Sequence, residues 1–375
     1  MKKILHLVND EKFIGFAHES FTREKTAQND FWVLSGAKSL KHIKFPCQLL
    51  TVDQFYTEET IAIVNAYDLI VLHFLDTKYD RLLQNTSLKP KILWVGWGGD
   101  YYWLADTLAD FHMYKPITRK LVSKIRGNRI LYFFSKKVNH IRRKKRLQLI
   151  NNSIAYFAPV LPDDYQLIQK SHPEFKPQYI QWSYGNLEHN YIKGYEDFTV
   201  TGNDILLGNS ATPTNNHLDV FNDLAKYPLV AHKIILPLNY GDLQYGKIIQ
   251  EKAMQIFPQQ ACVLSEFMPY EDYMKLLQSC GNVIMGHIRQ QALGNIVAML
   301  YVGAKLYFYK DSVTYTFFKN HGFTVFTIEE LEQNPKLLEL PLDQKDVAYH
   351  RDKLMSIWGK QQNSINTQKV IALVS

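Results

Sequence analysis

The chain contains no apolar run of 18 residues, so it offers no segment of membrane-spanning length. Its start, MKKILHLVND, turns polar after one strand-sized stretch, which is not the pattern of a secretory leader. A non-spanning protein of the cytosol is the expectation. Cysteine is scarce: Cys47, Cys262 and Cys280 lie far apart and form no C-x-x-C pair. That argues against a zinc site or a disulfide framework, and three buried thiols are the expectation. No D-x-D triplet occurs, so the acidic clamp that commonly holds a divalent metal and a diphosphate is missing, and neither a metal site nor a cofactor is expected. Neither G-x-G-x-x-G nor a P-loop occurs, which removes the main support for dinucleotide or nucleoside-triphosphatase readings. Residues 273 to 310 hold no acid, so the paired glutamates of many retaining transferases are absent.

Acids are also missing from Lys115 to Pro162, where 13 of the 43 Lys and Arg residues fall. The formal charge of +7 is therefore local, and the rest of the chain sums to 7 − 13 = −6. Interleaved with ILYFF, this block suits an anionic membrane surface or a polyanion; the plainer reading is a solvated helical face. Nucleic acid is the least favoured partner, because no recognition module accompanies the charge.

At 375 residues the chain exceeds what one hydrophobic core organises, so two domains are expected. KILHLV (3 to 8), FWVL (31 to 34), DLIVLHF (68 to 74), KILWVGW (91 to 97) and SIAYFAPV (153 to 160) read as buried strands. The connections are long enough for crossover helices, which predicts a parallel sheet. The same grammar restarts with DILLGN (204 to 209), HKIILPL (232 to 238), ACVL (261 to 264), NVIMGH (282 to 287), KLYFY (305 to 309) and FTVFTI (323 to 328). Two such arrays predict an α/β protein of two Rossmann-like domains with parallel sheets facing a central cleft, of GT-B type. The expected division is 1–190, carrying the basic segment 115–150 and the acceptor; 200–340 for the nucleotide sugar; and 341–375 as a helix returning to the first domain.

Ligands of open parallel sheets bind beyond the carboxyl ends of the strands. In the second array those ends carry Gly208, Asn209 and Ser210; Pro237, Asn239 and Tyr240; Ser265 and Glu266; and Arg289, Gln290 and Gln291. Arg289 can fork onto phosphate oxygens, and the backbone N–H groups from Ala292 through Leu293 and Gly294 to Asn295 open the next helix. Such donors suit a departing nucleoside diphosphate, whose charge grows in the transition state. The plain alternative is a surface arginine beside an ordinary helix start. In the first array WGGD ends a strand on Asp100, a candidate general base or a simple helix cap. Asn9 and Asp10 follow the first strand in the same manner, with His18 downstream.

Several of these stretches resemble one family in one order. LLGNSATPTNNH, KIILPLNY, LSEFMPYEDYMKLLQSC and RQQALGN are similar to successive motifs of the family 56 glycosyltransferases, and WGGDYY and HLVND are similar to motifs of its first half. These are the TDP-Fuc4NAc:lipid II Fuc4NAc transferases of enterobacterial common antigen synthesis. Ala292 and Asn295 stand where the family tends to have Gly and Thr, and residues 115 to 200 match only loosely.

The resemblance implies a metal-independent hexosyltransferase-type enzyme moving a deoxyamino sugar from a TDP-sugar to a polyprenyl-diphosphate-linked saccharide. It would work as a peripheral protein at the cytoplasmic face of the bacterial inner membrane. Carried over residue by residue, Gly208, Asn209, Ser210, Arg289, Gln290, Gln291 and the backbone through Gly294 and Asn295 would hold the diphosphate and sugar. Pro237, Tyr240, Ser265, Glu266 and Tyr273 would shape the nucleoside pocket, with Asn215 and His217 supporting the first loop. Asp100 would be the base, with Asp10 in reserve. Lys136, Lys137, Arg142, Arg143, Lys144, Lys145 and Arg146 would meet the membrane or the acceptor. Alternatives are a GT-B transferase using another nucleotide sugar for lipopolysaccharide or capsule, and a non-catalytic nucleotide-sugar-binding protein.

Overall fold

The computed structural model describes the chain except residues 106, 107, 109, 110, 126–128, 195, 228, 230, 231, 267 and 375; for residues 129–140 and 270 it describes the backbone alone. The chain divides into two compact units. One comprises Met1–Leu108, Arg129–Asn190 and Trp358–Ser375, and the other Ala109–Asn128 and Tyr191–Ile357.

Among the described residues the first unit holds seven parallel strands: β1 (Lys2–Val8), β2 (Ala27–Leu34), β3 (Gln48–Leu50), β4 (Leu69–His73), β5 (Lys91–Val95), β6 (Tyr156–Ala158) and β7 (Gln178–Tyr179). Their spatial order is β3-β2-β1-β4-β5-β6-β7, so the winding reverses between β1 and β4. Every residue of β4 is buried, as expected of a strand covered on both faces. Ile4, Leu69, Val71, Leu93, Val95 and Trp182 share a core with Val370 and Ile371 from the helix Lys360–Ala372. That helix is also tied by Ser20 Oγ donating to Asn363 Oδ1 at 2.9 Å and Trp182 Nε1 donating to Thr367 Oγ1 at 3.1 Å.

Among the described residues the second unit holds six parallel strands: β8 (Ile205–Leu207), β9 (Ile234–Pro237), β10 (Ala261–Leu264), β11 (Asn282–Met285), β12 (Lys305–Phe308) and β13 (Phe326–Thr327). Their order is β10-β9-β8-β11-β12-β13, with the reversal between β8 and β11. Such reversals open the crevice in which doubly wound sheets hold ligands.

Some elements differ from their sequence reading. The strand expected over 153 to 160 is only Tyr156–Ala158, because the helix Arg129–Ser153 runs up to Ser153. The strand expected over 323 to 328 ends at Thr327, whose side chain and that of Glu330 form a capping box that starts a helix at Ile328. The terminal helix is two, Gln344–Trp358 and Lys360–Ala372, interrupted at the extended Gly359. The first of these lies within the second unit, where Arg351 Nε donates to Tyr301 O at 2.9 Å.

The helix Pro116–Ile125 also clusters with the second unit. Its Ile117 and Thr118 N–H groups donate to the Asp219 carboxylate at 2.9 and 2.8 Å, and Lys115 N donates to Asn216 Oδ1 at 2.9 Å. A buried carboxylate thus satisfies helix-start donors and opposes the positive end of the helix dipole.

Candidate active site

In the second unit the loops after β8 and β11 are joined by side chains. The Asn215 amide is the hub. Its Nδ2 donates to Ser210 O at 2.9 Å and Thr212 O at 3.2 Å, which turns its Oδ1 toward Asn209 N at 3.2 Å and His287 Nε2 at 2.6 Å. His287 must therefore carry its proton on Nε2, because an amide oxygen only accepts. Burial first, then the charge of Arg289 and the neighbouring His217, hold the His287 pKa well below the ordinary value, so the ring is neutral. Asn216 makes a parallel tie, donating from Nδ2 to Gly286 O at 2.7 Å.

Two glycines permit this closeness. A Cβ on Gly208, whose φ is +69°, would lie 2.7 Å from Asn215 Oδ1, and one on Gly286 would lie 2.3 Å from Asn215 O. Asn216 (φ 51°) and Ala292 (φ 57°) also occupy the left-handed region, each immediately before a helix, His217–Leu224 and Leu293–Tyr301.

Of the residues singled out from sequence, Asn209, Ser210, Tyr240 and Gln291 come together around this hub. Asn209 Nδ2 donates to Tyr240 Oη at 2.8 Å, and Gln291 Nε2 donates to Asn209 Oδ1 at 2.9 Å. Thr214 Oγ1 donates to Gln291 Oε1 at 2.6 Å. Gln290 is buried and Arg289 half-buried in the same loop. Pro237 closes β9, and Tyr273 sits on the helix Tyr270–Ser279 with its phenol pushed up to about 12 by burial, then by Cys280 and Tyr240. Ser265 and Glu266 are exposed beyond β10, the edge strand two positions from β8, which puts them about 10 Å away along the sheet. Gly294 and Asn295 lie in the first turn of Leu293–Tyr301, with Asn295 exposed. His287 and Thr214 had no assigned role in the sequence reading. A histidine closing the otherwise apolar run NVIMGH is the one local signal that marks such a strand end.

In the first unit Asp100 is 5% exposed. Its Oδ2 accepts from Leu75 N at 2.9 Å and Trp94 Nε1 at 2.7 Å, and its Oδ1 from Trp97 N at 2.8 Å. Burial raises its pKa above the ordinary carboxylate value, outweighing those three donors. Asp10 accepts from Lys41 N at 2.5 Å and from His42 N and Ile43 N at 2.9 Å each. Burial acts to raise Asp10, but those backbone donors prevail and hold it below the ordinary value. Both carboxylates therefore organise loops at the strand ends.

The basic helix Arg129–Ser153 contributes Arg142, Arg143, Lys145, Arg146, Leu149 and Asn152 to a cavity of about 670 Å³, whose other wall is Thr77, Asp80, Gln84 and Trp103. Arg146 anchors one wall, its Nη2 donating to Leu75 O at 2.7 Å with Asp80 Oδ1 at 3.6 Å. Lys144 on the same helix is exposed, and the Lys136 and Lys137 side chains lie outside the described residues. Among the described residues no helix is long and apolar enough to cross a membrane, and no three His, Cys, Asp or Glu side chains are grouped to hold a metal ion.

The two doubly wound parallel sheets have the GT-B fold. The chain belongs to glycosyltransferase group 56: the family model described as 4-alpha-L-fucosyltransferase, glycosyl transferase group 56, matches residues 165–358. The fold is shared with solved structures of low sequence identity. Anabaena HepE, in complex with UDP and glucose, superposes with a TM-score of 0.62 at 12% identity over 100% of both chains. Sucrose-phosphate synthase from Thermosynechococcus elongatus gives 0.62 at 8% identity over 100% of this chain and 99% of that one. A glycosyltransferase from Rickettsia africae gives 0.59 at 12% identity over 100% and 97%.

Proposed function

We propose that this glycosyltransferase moves a deoxyamino sugar of the Fuc4NAc kind from a TDP-sugar to a polyprenyl-diphosphate-linked saccharide in bacterial surface polysaccharide synthesis. The observation that carries the donor half is the hub at Asn215, which joins the loops after β8 and β11 at the reversal of the second sheet. Arg289 stands between His287 of that hub and the uncapped start of Leu293–Tyr301. A guanidinium and helix-start N–H groups supply the positive field that a departing diphosphate needs. The β9 and β10 ends, with Tyr240, Tyr273, Ser265 and Glu266, then receive the nucleoside.

The first unit takes the acceptor. Asp100 is the better base of the two carboxylates, since burial raises its pKa whereas Asp10 is held low. The cavity lined by Arg142, Arg143, Lys145 and Arg146 suits phosphate groups of a lipid-linked acceptor at an anionic membrane surface, where the protein works as a peripheral one.

A calorimetric panel of TDP, UDP and GDP tests the donor assignment. TDP is expected to bind at least tenfold more tightly than the others. Because HepE of the same fold was solved with UDP, preference for UDP is the outcome that replaces TDP with another nucleotide.

A further inference from the structure

Four half-buried aromatic side chains meet at the carboxyl edge of the first sheet, where its winding reverses. Phe13 follows β1, Phe74 follows β4, Trp97 follows β5 and Tyr184 follows β7. The Trp97 ring lies 4.5 Å from Phe13, 5.0 Å from Phe74 and 6.2 Å from Tyr184, centroid to centroid. Phe74 has φ +78°, a left-handed conformation that an aromatic residue keeps only where its surroundings impose it, and such residues concentrate at functional sites.

Beneath this cluster runs a chain of polar groups in which the direction of every hydrogen bond follows from its end. Asn29 Nδ2 donates to Phe21 O at 3.3 Å and Ala27 O at 3.1 Å, so its Oδ1 faces His6 Nε2 at 3.2 Å as an acceptor. His6 therefore carries its proton on Nε2, and burial keeps the ring neutral by lowering its pKa to about 3. The bare His6 Nδ1 accepts from His73 Nε2 at 3.0 Å. His73 is neutral for the same reason, so its Nδ1 accepts from the Tyr184 hydroxyl at 2.6 Å. Trp97 Nε1 then donates to Tyr184 Oη at 2.8 Å. The Tyr184 proton points inward, and its oxygen meets a partner only as an acceptor.

We infer that this cluster seats a sugar ring of the acceptor and that Tyr184 Oη receives a hydrogen bond from a ring hydroxyl other than the one that attacks the donor, whose proton passes to the base. The inference rests on the reading of the first unit as the acceptor unit. Sugar rings present C–H faces that pack on aromatic rings, and the few oriented polar groups in such a site fix which hydroxyl is held where. Trp97 couples the platform to Asp100, because the residue whose indole holds Tyr184 also donates its backbone N–H to Asp100 Oδ1 at 2.8 Å. His73, His6 and Asn29 are positioning residues in this account.

The test is steady-state transfer by the full chain from labelled TDP-Fuc4NAc to the lipid-linked saccharides extracted from bacterial membranes. Tyr184→Phe is expected to lower kcat/KM for the acceptor at least tenfold with TDP affinity within twofold of the wild type. His73→Asn, which offers an oxygen near the place of Nδ1, is expected to keep most of the activity that His73→Leu loses. Phe74→Asn leaves the buried chain untouched, and asparagine tolerates left-handed backbone; its Tm should hold while the acceptor KM rises at least fivefold. Acceptor kcat/KM within twofold of wild type in both Tyr184→Phe and Phe74→Asn overturns the inference. The wild-type rate reports on the acceptor reading and the variant-to-wild-type ratio on Tyr184, so the two fail separately.

Discussion

Asn215 Oδ1 lies 2.6 Å from His287 Nε2, and this one contact ties the loop after β8 to the loop after β11. The same oxygen accepts from Asn209 N at 3.2 Å, so the backbone of the first loop and the histidine of the second are held by a single atom. This carboxyl edge of the second sheet is thus tied together, with Tyr240 and Gln291 attached to it through Asn209.

Asn215→Ala should weaken both fold and ligand binding. Asn215 and His287 are buried, and the substitution leaves Asn209 N–H and His287 Nε2–H without that acceptor. A buried polar group stripped of its partner costs about 1 to 3 kcal/mol, so urea unfolding should show a loss of that size or more. TDP affinity should fall with it.

Gly208→Ala should be worse than a surface substitution of the same kind. Left-handed backbone costs an alanine about 1 to 2 kcal/mol, and the new Cβ would lie 2.7 Å from Asn215 Oδ1 and 3.0 Å from His217 Nε2. We expect a stability loss of about 2 kcal/mol or more by denaturant titration, together with weakened TDP binding. A variant as stable as wild type would mean that the loop has room to shift.

How much of this was legible beforehand differs by level. Buried parallel strands announce themselves as continuous apolar runs, and β4 and β5 stand within the stretches DLIVLHF and KILWVGW. The strand order does not, because adjacency in a sheet is decided by crossovers that leave no local pattern. The reversal points between β1 and β4 and between β8 and β11, which single out two strand ends among many, emerged only with the fold. The short edge strands β3 and β7 have too few residues to show a period. The link from Ile117 and Thr118 to Asp219 joins groups about a hundred positions apart and leaves no trace in spacing. That Arg289, Gln290 and Gln291 follow the strand β11 is legible in the sequence, but the Asn215 contact that holds their loop is not.

Stability should fall as the solution is acidified from neutrality. His217 is held neutral by burial, with its pKa lowered to about 3 from 6.5. Between those values the unfolded chain binds a proton that the folded chain does not, so stability is full above pH 6.5 and declines as pH drops toward 3. Each such histidine contributes about 1.4 kcal/mol per pH unit, and His6, His73 and His287 act in the same direction. Asp164, raised to about 6 by burial, opposes them below pH 6. In His217→Gln the loss between pH 7 and 4.5 should shrink by about 2 to 3 kcal/mol, measured by urea titration at each pH.

Substituting Arg142, Arg143 and Lys145 together by alanine should reduce binding to vesicles containing anionic lipid and should make what remains less sensitive to salt. Exposed charges act through a screened field, so the wild-type affinity should drop steeply between low and 0.5 M salt. TDP binding should be unchanged, because these residues line a cavity in the first unit. Equal vesicle binding by variant and wild type would remove the membrane role.

Arg289 is the cation of the proposed diphosphate site, and calorimetric TDP titration of Arg289→Ala tests that role most directly. Losing a hydrogen bond to a charged group removes about 1.5 to 3 kcal/mol, so the Kd should rise at least tenfold while the Tm of the ligand-free protein stays within a few degrees. A variant that binds TDP as tightly as the wild type would contradict the assignment.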